Sequence, residues 1–240
     1  MIKIRIADLN VEIHNHYAFC EKFCRAYLAD FDKADITVSV THEELERERE
    51  QSPLPTNYGY LESVCVYRKI AMQLPRFDAM VFHASVVECD GVAYAFAAHS
   101  GTGKSTHANL WLKVFGSKRA RIINGDKPIL RLVDGKWYAY GTPWCGKEAL
   151  GVNASSPLFA ICFIERDRKN HITAIEGGEM VGRLFSQVLM PENAELADKH
   201  LSLLDQLVTS TSTYLLHCNM LPEAAIVAHR GMTEGEKNDS

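Results

Sequence analysis

The sequence predicts an α/β fold with a small α+β lobe at the N-terminus, and three features support this. An apolar, β-prone segment at 91–98 precedes the run Ser100-Gly101-Thr102-Gly103-Lys104-Ser105-Thr106, and a segment with helical spacing follows at 107–115. Short apolar strands and helical segments then alternate toward the C-terminus. This alternation is typical of α/β domains. The predicted strands lie at 79–87, 92–98, 120–124, 128–133, 136–140, 157–165 and 213–218, and the predicted helices at 107–115, 178–190, 193–209 and 222–229.

The run from Ser100 to Thr106 has the composition of a phosphate-binding loop. Glycines at 101 and 103 allow the backbone to approach an anion closely, and the following helix N-terminus offers free N–H groups and partial positive charge. In this motif Lys104 reaches the terminal phosphates of a nucleotide and the Ser105 hydroxyl binds Mg²⁺. The pattern departs from the usual one because Ala98 stands where a glycine is expected. All seven residues are predicted to bind ATP with Mg²⁺; the alternative is a glycine-rich surface turn.

The N-terminal part is predicted to form a separate small lobe at residues 1–75. Residues 76–232 form the catalytic domain in this prediction, and residues 233–240 a frayed polar tail. The lobe contains an alternating strand, an amphipathic helix, a second strand, a charged helix and a second amphipathic helix. These elements are predicted at 1–14, 17–29, 34–40, 43–50 and 61–74.

Composition excludes several classes of protein. The chain has 240 residues, 47% of them hydrophobic and 23% charged, as in an ordinary globular protein. A net charge of −4 gives no general basic field for nucleic acid. No apolar run approaches the length of a membrane span, and the alternating start at 1–6 does not resemble a signal peptide. We therefore expect a cytoplasmic protein that binds neither nucleic acid nor membrane.

The seven cysteines are scattered without the spacing of a disulfide framework. An odd number in apolar runs predicts reduced thiols in a reducing compartment. Cys20 and Cys24 are one helical turn apart, and His14 and His16 precede them. They are interpreted as small core residues, with a metal site as the alternative.

An acidic residue follows the hydrophobic strand about twenty residues after Lys104. Asp126 ends the run Ile122-Ile123-Asn124-Gly125-Asp126. A carboxylate at this position can hold Mg²⁺ opposite the phosphates, or accept the proton of an attacking hydroxyl. The alternative is a turn residue after Gly125.

Two cationic residues later in the chain are further candidates. Lys147 lies beside Trp144 in a loop that contains glycine and proline, where a cation can neutralise a transferring phosphoryl group; a solvated loop lysine is the alternative. Arg166 follows a predicted strand. It either contacts substrate or forms a salt bridge with an acidic neighbour.

The order of these motifs resembles that of a known family. His83-Ala84-x-x-Val87, a hairpin, the loop from Ser100 to Ser105 and a strand ending near Asp126 are similar to the C-terminal domain of HPr kinase/phosphorylases. The loop also resembles the nucleotide core of ATP-dependent phosphoenolpyruvate carboxykinases. The resemblance implies an HPr kinase/phosphoenolpyruvate carboxykinase-like P-loop fold and ATP-dependent phosphoryl transfer to a hydroxyl, or the reverse. It also implies that His83 lies near the γ-phosphate and that Asp126 is a metal ligand or base.

Two departures from the family pattern bear on function. HPr kinases usually carry two adjacent aspartates where this chain has Gly125-Asp126, and a glutamate where it has Thr106. We expect a kinase whose catalytic residues are Asp126, His83, Lys104 and Lys147 and whose metal ligands are Ser105 and Asp126. Its expected acceptor is a Ser or Thr hydroxyl of a protein or peptide, or a small hydroxyl compound. A carboxykinase-like lyase and a non-catalytic nucleotide-binding module remain the alternatives, and homo-oligomerisation is left open.

Overall fold

The computed structural model describes residues 1–52, 56–99 and 101–234, which form a mixed α/β structure with two sheets. The first sheet has three strands in the order β1 (Ile2–Ile6), β2 (Leu9–His14) and β3 (Ile36–Ser39). The second has nine strands in the described residues. Seven of them follow the order β4 (Ala79–Val81), β8 (Ile129–Val133), β9 (Lys136–Tyr140), β10 (Ser155–Arg166), β6 (Val92–Ala97), β5 (Ala84–Cys89) and β7 (Ala120–Asn124). In addition, β12 (Ser212–Cys218) pairs with β10, and β11 (His171–Ala174) pairs with β12. The long strand β10 has three partners: its beginning pairs with β9, and the rest pairs with β6 and β12.

The first sheet begins with a hairpin rather than with the single strand predicted at 1–14. Strands β1 (Ile2–Ile6) and β2 (Leu9–His14) are antiparallel, and β3 (Ile36–Ser39) adds to β2 in parallel. Ala7 and Asp8 form the two-residue turn with φ of 49° and 57°, as hairpin turns of this length require. The sequence indicates this turn, because the alternating apolar residues occupy even positions up to Ile6 and odd positions from Leu9 onward.

Three helices accompany the first sheet. They are α1 (Ala18–Phe23), α2 (His42–Gln51) and α3 (Tyr58–Gln73). Helix α1 is shorter than the predicted helix at 17–29, and a 3₁₀ turn follows at Arg25–Tyr27. The chain leaves the helix because Leu28 bridges to Ile4 of β1 and the Ala29 N–H donates to Lys3.

One hydrophobic core joins the first sheet to an edge of the second. Ala79, Ile129, Tyr140 and Trp144 belong to the same buried cluster as the apolar residues of β1, β2 and α3. The boundary predicted near residue 75 falls in a 3₁₀ turn at Leu74–Phe77. The division into a lobe and a catalytic domain stays a prediction.

Helices cover both faces of the second sheet. Helix α4 (Lys104–Phe115) and helix α7 (Glu223–Glu234) pack over one face, around the fully buried Trp111. Helix α5 (Gly177–Phe185) and helix α6 (Ala194–Ser210) cover the other. The strands are β4 (Ala79–Val81), β5 (Ala84–Cys89), β6 (Val92–Ala97), β7 (Ala120–Asn124), β8 (Ile129–Val133), β9 (Lys136–Tyr140), β10 (Ser155–Arg166), β11 (His171–Ala174) and β12 (Ser212–Cys218).

Several predicted elements differ from those observed. The strand predicted at 79–87 is interrupted at Phe82 and His83, and β11 has no counterpart in the prediction. Of the predicted tail at 233–240, residues 233 and 234 continue α7 and the others lie outside the described residues. None of the helices in the described part of the chain combines the length and the apolar composition that a membrane crossing needs.

All seven cysteines fall within the described residues, and all are free thiols. Cys20 and Cys24 are buried in the core of the first sheet, as interpreted from the sequence. Among the described residues, the one group of three that has metal-binding geometry is instead Cys89, Asp90 and His229. Arg119 already holds the Asp90 carboxylate through two hydrogen bonds of 3.0 and 2.6 Å.

Candidate functional site

The predicted phosphate-binding loop connects the central strand β6 to the N-terminus of α4. Gly101 and Gly103 have φ of 79° and 122°, a region that residues with a Cβ rarely adopt. Gly103 caps α4 without a side-chain hydrogen bond, and the first turn of the helix contains no acidic residue. The N–H groups of that turn therefore face a site that suits an anion. Ser100, also predicted to bind the nucleotide, lies outside the described residues.

Lys104 is held beneath this loop. Its side chain is 8% exposed, and its Nζ donates a hydrogen bond of 3.1 Å to the carbonyl of Ala98. The same Nζ lies 3.1 Å from Nε2 of His83. Burial lowers the pKa of Lys104, and the charge of Asp126 opposes that shift. The ammonium group is thus poorly solvated, and a phosphate would stabilise it.

His83 precedes β5 and Asp126 follows β7, and the two residues meet beside Lys104. His83 stands at the break between β4 and β5, where its N–H donates to Gln187 and the next N–H donates to the carbonyl of Asp126. Its Nε2 lies 3.3 Å from Oδ1 of Asp126. Burial disfavours the charge on Asp126, but the hydrogen bond with His83 and the charge of Lys127 outweigh it and lower the pKa. The carboxylate is therefore ionised at neutral pH.

Asn124 fixes the turn that presents Asp126. Its Oδ1 accepts hydrogen bonds from the N–H groups of Asp126 (2.9 Å) and Lys127 (2.8 Å). Its Nδ2 donates to the Oγ1 of Thr142 at 3.0 Å, and that hydroxyl donates to the carbonyl of Lys127. Asn124 and Thr142 were not predicted as site residues. The run Asn-Gly-Asp after a strand is the signal that indicates such a turn.

Gly125 lies where a side chain would collide with the neighbouring backbone. A Cβ on Gly125 would lie 2.7 Å from the carbonyl oxygen of Cys145 and 3.2 Å from that of Leu150. Both neighbours are backbone atoms that a side-chain rotation does not move. A second aspartate, at position 125, would therefore require the backbone at Cys145 and Leu150 to move.

His83, Lys104, Gly125 and Asp126 line one cavity of about 780 Å³. Ser105 and Asp126 both face it, so an oxygen ligand from each is available to a hard cation. Lys147 also lies on its wall; the side chain is exposed and has no hydrogen bond or ion pair with the described residues. The neighbouring Glu148, which the sequence did not indicate, adds a second carboxylate to the lining. Of the predicted loop residues, Gly101, Gly103, Lys104, Ser105 and Thr106 line this cavity.

A second cavity, of about 320 Å³, lies on the other side of the loop. Gly103 and Thr106 line both cavities, so the loop separates them. Apolar side chains of Leu110, Ile164 and Met220 contribute to its wall. Thr102, predicted to bind the nucleotide, faces this second cavity rather than the first.

Arg166 contacts the loop itself. Its Nε donates to the carbonyl of Thr102 at 2.9 Å and its Nη2 to that of Gly101 at 2.5 Å. Neither interpretation made from the sequence, a substrate contact or a salt bridge, anticipated this. The guanidinium thereby fixes the peptide after Thr102 and turns the N–H of Gly103 away from Arg166, whereas the N–H of Thr102 donates to the carbonyl of His99 at 3.2 Å.

Comparisons with known proteins find distant likenesses among solved structures. A comparison with protein-family models finds no match, and a comparison with curated proteins finds none either. Among solved structures, the chain is similar to the HPr(Ser) kinase/phosphatase from Coxiella burnetii. The TM-score is 0.37 and the identity 11%, over 65% of this chain and 99% of that one. At this level the likeness carries no argument about the chemistry of this chain.

Proposed function

We propose that the protein is a kinase that uses ATP and Mg²⁺ to phosphorylate a hydroxyl group. One observation supports this proposal above the others. At the N-terminus of α4, Nε2 of His83 lies 3.1 Å from Nζ of Lys104 and 3.3 Å from Oδ1 of Asp126. A poorly solvated cation, an imidazole and an ionised carboxylate beside free helix N–H groups form a site for a phosphate and a proton acceptor.

The loop and Lys104 bind the phosphates in this proposal. Backbone N–H groups at the start of α4 surround the anion, and Lys104 neutralises its terminal charge. The second cavity suits the nucleoside, because it lies across the loop and combines apolar walls with the polar Asp167 and Asn219. Arg166 keeps the loop in the orientation that this arrangement needs.

The residues present fit a magnesium ion. Ser105 and Asp126, which supply a hydroxyl and a carboxylate oxygen, both line one cavity, and Mg²⁺ prefers oxygen ligands. When bound, the ion would offset negative charge on the phosphates. The lowered pKa of Asp126 keeps its carboxylate available as a ligand or as a base.

Transfer requires little covalent chemistry from the protein. The acceptor oxygen attacks the γ-phosphorus, the bond to the β,γ-bridging oxygen breaks, and ADP leaves. Asp126 accepts the proton of the acceptor hydroxyl. Lys147, exposed on the cavity wall, is placed to neutralise the phosphoryl group once the acceptor is bound.

A nucleotide-binding module without catalysis is the second candidate. The crowding at Gly125 favours it, because a second aspartate cannot be added next to Asp126 without moving the backbone at Cys145. One carboxylate would then have to serve both the metal and the proton. Nothing in the described residues favours the carboxykinase-like lyase.

Two measurements test the kinase. Calorimetry with ATP and Mg²⁺ establishes binding, and incubation with γ-labelled ATP and a Ser/Thr peptide library establishes transfer. The kinase predicts both binding and labelled peptide. Binding without transfer to peptides or to small hydroxyl compounds favours the module, and absence of binding rejects both.

A further inference from the structure

The larger cavity, called the main cavity from here on, is lined by four aromatic side chains and one valine as well as by its charged residues. We call this apolar group the aromatic wall; its residues are Phe23, Tyr60, Val64, Tyr67 and Trp144. Four of the five come from helices α1 and α3 of the N-terminal part. Phosphates and a metal ion bind polar and charged groups rather than apolar side chains. The aromatic wall therefore suits a different, apolar part of a ligand.

The inner half of the aromatic wall is rigid and attached to the site. Tyr67 and Trp144 stack with ring centroids 4.1 Å apart. The Trp144 Nε1–H donates to the carbonyl of Ser63 at 3.0 Å, and the Tyr67 hydroxyl donates to the carbonyl of Lys127 at 2.7 Å. Lys127 directly follows Asp126, so the wall and the carboxylate are held at a fixed separation.

The outer half of the aromatic wall is open to solvent. Tyr60 is 46% exposed, whereas Trp144 is 7% exposed. Phe23 packs edge-on against Trp144, with centroids 5.7 Å apart, and remains partly exposed. An apolar surface that continues from a buried floor to an open rim suits a chain that enters from solvent better than an enclosed small molecule.

We propose that the aromatic wall binds a large apolar side chain of a peptide acceptor, next in sequence to the Ser or Thr that is phosphorylated. This rests on the proposed kinase function and narrows its acceptor class. The wall fixes the register of the peptide, so that one hydroxyl is presented to Asp126 and the γ-phosphate. The N-terminal part of the chain thereby determines acceptor specificity.

The test is selection from a displayed library of nine-residue peptides with a fixed central serine. The protein is immobilised with Mg²⁺ and a non-hydrolysable ATP analogue, and enriched sequences are compared among variants. Tyr60→Ala removes the exposed ring, and Tyr60→Phe retains it. Phe185→Ala is the matched control, because Phe185 is 49% exposed and does not line the cavity.

The parent protein, Tyr60→Phe and Phe185→Ala should each enrich aromatic or large aliphatic residues beside the serine at least tenfold. Tyr60→Ala should lose that enrichment while its melting temperature and its affinity for ATP stay unchanged. A parent without apolar preference, or a preference that persists in Tyr60→Ala, overturns the proposal. Failure of the parent to bind ATP by calorimetry rejects the kinase and with it the acceptor role, whatever peptides are retained.

Discussion

Nζ of Lys104 and Nε2 of His83 lie 3.1 Å apart, and the same Nε2 lies 3.3 Å from Asp126. An ammonium group has only donors, so Nε2 accepts from Lys104 only when it carries no proton. Nε2 donates to Asp126 only when it carries a proton. Nε2 therefore hydrogen-bonds to either Lys104 or Asp126, but not to both at once. When a phosphate binds Lys104, the His83 imidazole becomes available for a hydrogen bond with Asp126 or with the phosphate.

Removal of Lys104 tests the nucleotide site. Lys104→Ala should weaken ATP binding by about 1.5–3 kcal/mol, or about ten- to a hundredfold, because a charge-assisted contact to phosphate is lost. Calorimetry measures the affinity. Lys113→Ala is the matched control, since Lys113 is exposed on the same helix and lines neither cavity. Equal affinity in Lys104→Ala and Lys113→Ala would contradict the assignment.

Loss of the carboxylate at Asp126 should remove transfer and spare the fold. In Asp126→Asn the amide keeps the shape of the side chain but is a poor base and a weaker magnesium ligand. Phosphorylation of a peptide selected by the parent should fall by about two to four orders of magnitude, a range typical for loss of a general base. A melting curve shows whether the variant is folded. Full activity would place the catalytic carboxylate elsewhere, with Glu148 on the same cavity wall as the next candidate.

Asp126 should also contribute to the pH dependence of stability. Its pKa is lower in the folded chain than in the unfolded one, where it is about 3.9. The unfolded state then binds more protons, so the contribution is full above that pKa and is lost as the pH falls through the lower folded value. Denaturant unfolding from about pH 6 to about pH 3 should therefore show a smaller loss of stability in Asp126→Asn than in the parent. If the free energy of unfolding fell by the same amount in both proteins over this pH range, the Asp126 carboxylate would not be stabilised by His83 and Lys127 in the folded state.

Restoring the paired aspartates should fail for a steric reason. Gly125→Asp places a Cβ 2.7 Å from the Cys145 carbonyl, and overpacking of this kind costs about 1–3 kcal/mol. Thermal melting should shift down by about 2–4 °C for each kcal/mol. Gly178→Asp is the control, because a Cβ on Gly178 meets nothing within 4 Å. An unchanged melting temperature with raised turnover would instead mean that the loop at 145–150 yields and that a second carboxylate was the missing group.

The sequence predicted the elements that carry strong local signals. The strand before the loop, the helix predicted at 107–115 and the strand that leads to Asp126 each show apolar periodicity bounded by glycines, although the helix begins earlier than predicted, at Lys104. The break at His83 was not visible, because it depends on Gln187, about a hundred residues later, accepting the His83 N–H. The same holds for the aromatic wall, where Tyr67 and Trp144 stack across two distant segments. Contacts between residues so far apart in the chain produce no periodic pattern in a single sequence.

Arg166 illustrates a residue whose chemistry was noticed and whose partner was not. Its guanidinium donates to the carbonyls of Gly101 and Thr102, and the side chain is exposed. Arg166→Ala should leave the fold intact and weaken ATP binding by about 1 kcal/mol, or about fivefold, because an exposed pair of hydrogen bonds is partly screened by water. Arg168→Ala, two residues along and also exposed, is the control.

The effect of Arg166 on the loop can be separated from a direct contact with the nucleoside. If Arg166 only orients the loop, Arg166→Ala should weaken inorganic triphosphate and ATP by the same factor and leave the weak binding of adenosine unchanged. Arg166→Lys should restore little, because an ammonium group lacks the planar fork that holds two carbonyls at once. Calorimetry with the three ligands decides the matter: a selective loss of adenosine binding would assign Arg166 to the second cavity, which it also lines, rather than to the loop.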